Sequence, residues 1–390
     1  MKNKLILFVL FAAFVIYSGC RKEPVNQNTS SYSDTPILPE QPYNYPATGG
    51  GPGGFNGNAN HIATLGRVLF YDQKMSLNNS VSCGSCHQQS KGFADGKQFS
   101  TGLQDQKTRR NSPGIVVHEG QLFWDGRANT FYELALMPLV NHVEMMNYDI
   151  SKLERKVSSI SYYPELFKKA FGSEDVNIDR IQQAIAGFLQ NFRFNNNKFN
   201  QTGGWGSPTT SLTIEERLGA DLFMGKAQCG SCHSGPSHDG WNGASECIGL
   251  DETYTDNGLG ERSNETQNNG QFRVPTLLNI EFTAPYMHDG RFKTLEEVIE
   301  HYNSGIKNHP NLSWALRDFS SLTSLSGPQL MLQYDLNHDG DLTIDEIPPG
   351  PPIRMGLTNM EKKSLVTFLK TFSDHSSLTD VRFSDPFVVK

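Results

Sequence analysis

The chain has 390 residues, 37% hydrophobic and 19% charged, enough for two or three domains with real cores; this excludes a disordered or fibrous protein. The formal net charge of −7 leaves no basic footprint for nucleic acid. A macromolecular partner is therefore expected to be a protein with a complementary positive patch.

Lys2 and Lys4 precede an apolar run from Leu5 to Tyr17, too short to span a bilayer as a mature helix and of the right length for a signal-peptide core. Export is the expectation. The run ends in Ser18-Gly19-Cys20, which resembles a bacterial lipoprotein cleavage site, although Tyr17 stands where leucine is more usual. On that reading residues 1–20 are removed up to Cys20, which becomes a lipid anchor to a membrane. The alternative is a plain secretory signal with an incidental cysteine. Residues 21–54 are rich in Pro, Gly, Asn and Ser and read as a flexible tether.

Four of the six cysteines fall into two identical pentapeptides, Cys83-Gly84-Ser85-Cys86-His87 and Cys229-Gly230-Ser231-Cys232-His233. Two thiols one turn apart can form thioethers with the vinyl groups of one haem, and the adjacent imidazole reaches the iron. Two covalently bound haem c groups follow. A shared zinc site is disfavoured because the pairs lie far beyond zinc-ribbon spacing, and redox CxxC motifs need no histidine. Cys247 is left over, most simply as a buried free thiol.

Related phrases precede the two motifs, Leu65 to Phe70 and Leu218 to Phe223, and another pair follows them, Trp124-Asp125-Gly126-Arg127 and His288-Asp289-Gly290-Arg291. The chain reads as a duplication. The expected fold is mainly α, with two cytochrome c-like helical domains over 55–200 and 201–390. Asp179 through Phe199 is expected to be one long helix closing the first domain, and Thr294 to Asn303 a helix in the second.

Fourteen residues after Trp124 stands Pro138, and fourteen after His288 stands Tyr302. A tyrosine phenolate can ligate iron; proline cannot. If the halves superpose, the second haem is six-coordinate through His233 and Tyr302 and the first is open for peroxide. Spacing alone leaves Tyr302 undecided between ligand and core aromatic.

Asp335, Asn337, Asp339, Asp341 and Glu346, with Gly340 at the sharp turn, match a twelve-residue EF-hand loop over 335–346. Calcium is the expected occupant, against an acidic surface turn as the alternative. Pro348, Pro349, Pro351 and Pro352 cut off a long exit helix, so the loop is expected to be structural rather than signalling.

From about His61 to Phe372, outside that insertion, the motifs resemble the bacterial diheme cytochrome c peroxidase family, which includes the methylamine-utilisation enzyme MauG. The resemblance rests on the first haem phrase, Gly92-Phe93-Ala94-Asp95-Gly96, Arg110-Asn111-Ser112-Pro113, Phe123 to Ala128, Gly225-Lys226-Ala227, and Thr283 to Gly290. It implies that the haem of His87 is peroxidatic and that the haem of His233 receives electrons. It also implies that Glu144 is the acid/base at the peroxide and that Trp124 lies between the haems. An interdomain calcium would use the Asn111 side chain and the carbonyls of Thr283 and Pro285.

Two departures from the family pattern bear on mechanism. A histidine that often blocks the peroxide site falls here on Leu103, and His118 is the next histidine after His87. The enzyme is therefore expected to be active when fully oxidised, provided His118 does not substitute. The usual methionine ligand of the second haem is Tyr302, as in MauG, with Met287 as fallback. A frequent pocket glutamine is Leu134 here, which removes one polar group from the family's peroxide-pocket lining.

The first functional expectation is reduction of hydrogen peroxide with electrons from a small periplasmic cytochrome or copper protein; the resemblance also implies a homodimer, a state common in the family. The second is a MauG-like oxidase acting on a protein substrate through a high-valent bis-haem state. A non-catalytic diheme electron carrier is the third, disfavoured because Pro138 and Leu103 leave the first haem open.

Overall fold

A computed structural model describes residues 31–45, 59–117, 120–205, 211–233, 244–323 and 349–389, together with 329 and 333. Cys20, His118 and the loop 335–346 lie outside the described residues. The longer helices are α1 (Ala59–Tyr71), α2 (Phe131–Val140), α3 (Ile150–Ser159), α4 (Tyr163–Phe171), α5 (Ile178–Leu189), α6 (Ile214–Met224), α7 (Leu295–Glu300) and α8 (Asn359–Leu369). A two-stranded antiparallel sheet pairs Ser245–Glu246 with Phe272–Arg273. No helix among the described residues is long and apolar enough to cross a membrane.

Each half turns on one helix crossing. In the first, ten residues of α1 from Ile62 to Tyr71 are buried, and the helix lies across α5. A Cβ on Gly66 would sit 1.9 Å from the Ala184 carbonyl oxygen and 2.8 Å from Phe188 Cβ. In the second half α6 lies across α8, and a Cβ on Gly219 would sit 2.1 Å from the Ser364 oxygen and 2.6 Å from Phe368 Cβ. The same Leu-Gly phrase thus meets the same i, i+4 pair of partners in both halves. Gly66→Ala and Gly219→Ala are each expected to destabilise the protein by roughly 1–3 kcal/mol through overpacking, read by denaturant unfolding. A change under about 0.5 kcal/mol would show that the helices separate freely there.

Hydrogen-bonded caps fix where these helices start. Asn177 caps α5 through the Arg180 amide at 2.9 Å, and Thr213 with Glu216, Thr294 with Glu297, and Thr358 with Glu361 form capping boxes at α6, α7 and α8. The helix expected over Asp179 to Phe199 ends instead at Leu189. Asn191 turns its side-chain amide back onto the Gly187 and Phe188 carbonyls at 2.7 and 3.3 Å, supplying the donors that another helical turn would have supplied. Phe192 and Phe194 then enter an aromatic cluster with Phe93, Phe188 and Phe383. The helix expected over Thr294 to Asn303 begins with Thr294 as its cap and passes after Glu300 into a π-turn, His301–Gly305.

Phe383 comes from the far end of the chain. The terminal segment returns to the first half, where Arg67 Nε donates to the Ser384 carbonyl at 2.6 Å and the Tyr71 hydroxyl to the Phe383 carbonyl at 2.6 Å. Residues 31–45, inside the segment read as a tether, lie against this same region. Tyr32 stacks on Phe387, and Tyr45 is buried with its hydroxyl on the Arg382 carbonyl at 3.0 Å. Their aromatic rings supply the apolar area that the surrounding Pro, Gly and Asn lack.

Candidate active site

The turn Cys83–Cys86 is a single helical turn, and the His87 amide donates to the Cys83 carbonyl at 2.9 Å, so both thiols and the imidazole come from one compact unit. His87 Nδ1 lies 2.7 Å from the Phe93 carbonyl. That contact fixes Nδ1 as the protonated nitrogen and leaves Nε2 to coordinate. Burial pushes the Cys83 thiol up to about 12, with Cys86 and Glu144 adding to it, and Cys86 up to about 11. None of the described cysteines is in a disulfide. A covalently attached haem c fits these residues, and it would supply redox-active iron.

Glu144 follows α2 in a turn held by the Asn141 side chain, whose oxygen accepts from the Val143 amide at 2.8 Å and the Glu144 amide at 3.3 Å. The Leu103 amide donates to the Val143 and Glu144 carbonyls at 2.8 and 3.2 Å, and Leu103 itself is buried. Gly102 permits this approach, since a Cβ there would meet the Val143 oxygen at 2.0 Å. Burial raises the Glu144 carboxyl above its ordinary value, and Arg127 partly offsets the rise. Its charge is felt at both Cys83 and Cys86. Pro138 lies inside α2 and Leu134 packs against the core from the same helix.

The second motif forms a 3-10 turn, Cys229–Ser231, with the His233 amide donating to the Cys229 carbonyl at 2.9 Å. It opens onto a cavity of about 1620 Å³, open mouth included, lined by Cys229, Cys232, His233, Met287 and Tyr302. Burial pushes Cys229 up to about 12. Tyr302 projects from the π-turn, and π-turns recur where a helix must re-aim a functional side chain. Burial first, then Cys232 and Cys229, raises its phenol. The pocket lining thus holds an imidazole, a phenol and the Met287 thioether.

Trp124 belongs by sequence to the first half and by packing to the second. Its ring is buried in a cluster with Cys247, Leu250, Tyr254 and Phe272, and it also lines the cavity of the second motif. Its Nε1–H donates to the Asn111 carbonyl at 2.9 Å, and its own carbonyl accepts from the Arg273 amide at 2.8 Å.

The di-haem cytochrome c peroxidase family model matches residues 60–204. The cytochrome c551 peroxidase of Nitrosomonas europaea is 38% identical over 247 residues, covering 61% of this chain and 72% of that protein. This chain belongs to the di-haem cytochrome c peroxidase family. The family's enzymes are oxidoreductases that use peroxide and carry two c-type haems. The methylamine utilization protein MauG of Methylophilus methylotrophus is 30% identical over 262 residues, covering 66% of this chain and 76% of that protein. The solved structure of a MauG-like protein associated with microbial copper homeostasis has 28% identity and a TM-score of 0.69, covering 90% of this chain and 98% of that one.

Asn111, Thr283 and Pro285 line the same cavity as the second motif. Asn111 Nδ2 is engaged with the Lys97 carbonyl at 2.8 Å. Its Oδ1 and the Thr283 and Pro285 carbonyls accept no hydrogen bond from the described residues. Cys247 is the expected buried thiol, with Sγ 3.5 Å from His309 Nδ1. Sequence reasoning gave no role to Phe272, which packs with Trp124, or to Arg110 and Asp256, which pair with each other beside Asp125, the next residue after Trp124. The only signal was Arg110's place in the Arg-Asn-Ser-Pro phrase; the spacing of Asp256 and Phe272 points to nothing.

Proposed function

We propose that this enzyme reduces hydrogen peroxide to water at the haem of His87, with electrons entering one at a time through the haem of His233 from a small periplasmic cytochrome or copper protein. Glu144 takes the proton from one peroxide oxygen and returns it to the other, and two electrons and two further protons complete two waters. Trp124 carries electrons across the seam between the halves. The observation that carries the reading is Leu103, an apolar side chain buried beside Glu144, with its amide tied to the Glu144 turn. A leucine side chain has no donor atom for iron, so with His118 away from the site the oxidised enzyme is active without prior reduction.

Stopped-flow mixing of the fully oxidised holoenzyme with one equivalent of peroxide, followed by a reduced small cytochrome, tests this. Rapid loss of the ferric spectrum and fast donor oxidation are expected. A reaction that waits for prior reduction of one haem would overturn the proposal and point to His118 as a gate. Tyr302 on the wall of the second pocket favours a second reading, a MauG-like oxidase of a protein substrate. Fast reaction with peroxide and negligible donor oxidation would select it.

The three undonated oxygens of Asn111, Thr283 and Pro285 suit a hard cation joining the halves. Chelation of calcium is expected to slow electron transfer between the haems, with recovery on adding calcium back; an unchanged rate would remove calcium from the proposal. The loop 335–346 is proposed as a second calcium site. Cys20 is proposed as a lipid anchor holding the enzyme at the periplasmic face of a membrane.

A further inference from the structure

Two adjacent arginines reach across the seam between the halves, and they differ in burial. Arg109 makes a bidentate pair with Glu261 at 2.7 and 2.6 Å, but its side chain is 56% exposed. Water and salt screen such a pair, which contributes little. Arg110 is 13% exposed, and its partners Asp125 and Asp256 are 13% and 11% exposed. Its Nε and Nη2 hold the two Asp256 oxygens at 2.7 and 2.8 Å, and its Nη1 holds Asp125 Oδ2 at 2.6 Å. The guanidinium carbon lies 5.6 Å from the centre of the Phe272 ring.

These contacts converge on Trp124. Asp125 is the next residue in the chain, Asp256 stands two residues beyond Tyr254, and Tyr254 and Phe272 pack in the same cluster as the indole. The residue after Arg110 holds the indole directly, through the Asn111 carbonyl, and its amide donates to the His288 carbonyl at 2.7 Å. Arg110 and Asn111 together grip the Trp124 loop at its ring nitrogen and at its following carboxylate, and they tie both to the second half. A planar fork is required, because one ammonium cannot satisfy both oxygens of Asp256 and one of Asp125 in this geometry.

We infer that Arg110 is a positioning residue for electron transfer: its fork between Asp125 and Asp256 sets where the Trp124 ring stands relative to the second haem pocket. This rests on the proposed role of Trp124. The Arg110 guanidinium hydrogen-bonds to Asp125 and Asp256, so its substitution acts through the placement of the indole.

Arg110→Lys keeps the positive charge and loses the fork, which avoids stranding two buried carboxylates. In the holoenzyme, electron transfer from the second haem to the first after photoreduction is expected to slow roughly 10- to 100-fold. Both haem potentials and the rate of the oxidised enzyme with peroxide should stay as in the parent. Hydrogen–deuterium exchange should rise over residues 120–127. Asp125→Asn should slow transfer likewise, and Arg109→Gln should leave it unchanged. Trp124→Phe separates the two ideas. If it slows transfer and Arg110→Lys does not, the positioning role is wrong and the role of Trp124 stands. Should Trp124→Phe have no effect, the role of Trp124 falls and the inference with it. A shift in either haem potential in Arg110→Lys would also overturn the inference, because the effect would then be one of driving force.

Discussion

Glu144→Gln is expected to slow peroxide reduction by roughly 10²- to 10⁴-fold, the range that one positioned acid/base group supplies. The variant keeps the size of the side chain and removes its ability to exchange a proton. The pH dependence has a definite sign. Burial raises the Glu144 carboxyl above its ordinary value of 4.5, and Arg127 pulls it part of the way back. The group must be ionised to accept the first proton from peroxide, so the rate of the peroxide step should rise with pH through an inflection above 4.5. Glu144→Gln should abolish that inflection, and Arg127→Gln should move it to higher pH by removing the nearby positive charge. Stopped-flow rates at one peroxide concentration across the pH range provide the check. A Glu144→Gln enzyme within threefold of the parent, or an Arg127→Gln inflection that moves down, would take Glu144 out of the chemistry.

Some of the local geometry around the two motifs is written in short-range sequence. Each Cys-x-x-Cys-His unit forms one turn because its spacing dictates one, and the Leu-Gly phrases lie on α1 and α6 because their apolar periodicity is helical. The missed features are decided by contacts remote in sequence. Asn191 ends α5 because its amide finds the Gly187 and Phe188 carbonyls and because Phe192 and Phe194 are needed beside Phe383. No periodicity in 179–199 reports a partner at 383. Composition reads 31–45 as part of a flexible tether, yet Tyr32 and Tyr45 find Phe387 and the Arg382 carbonyl, partners that no local pattern reports. The clamp on Trp124 was invisible for the same reason, since Arg110 and Asp256 are 146 residues apart.

Tyr302→Met is expected to raise the midpoint potential of the second haem by on the order of a few tenths of a volt, within the ~0.8 V that axial ligands command. A phenolate donor stabilises ferric iron, whereas a thioether favours the ferrous state. In the protein as folded, burial raises the Tyr302 phenol, so without a cation close to its oxygen the group keeps its proton at neutral pH. Ligation therefore requires the iron to displace that proton. Met287 lines the same cavity, and Tyr302→Phe alone leaves it as a possible replacement ligand. Tyr302→Phe with Met287→Leu removes both candidates and should leave the second haem five-coordinate and high-spin. Spectroelectrochemical titration of the three variants reads the outcome: a second haem whose spectrum and potential do not change in Tyr302→Phe would assign the ligand to Met287. If Tyr302→Met raises the potential and also speeds oxidation of a small donor cytochrome, the tyrosine limits electron entry, since a more oxidising second haem takes electrons more readily from a small carrier.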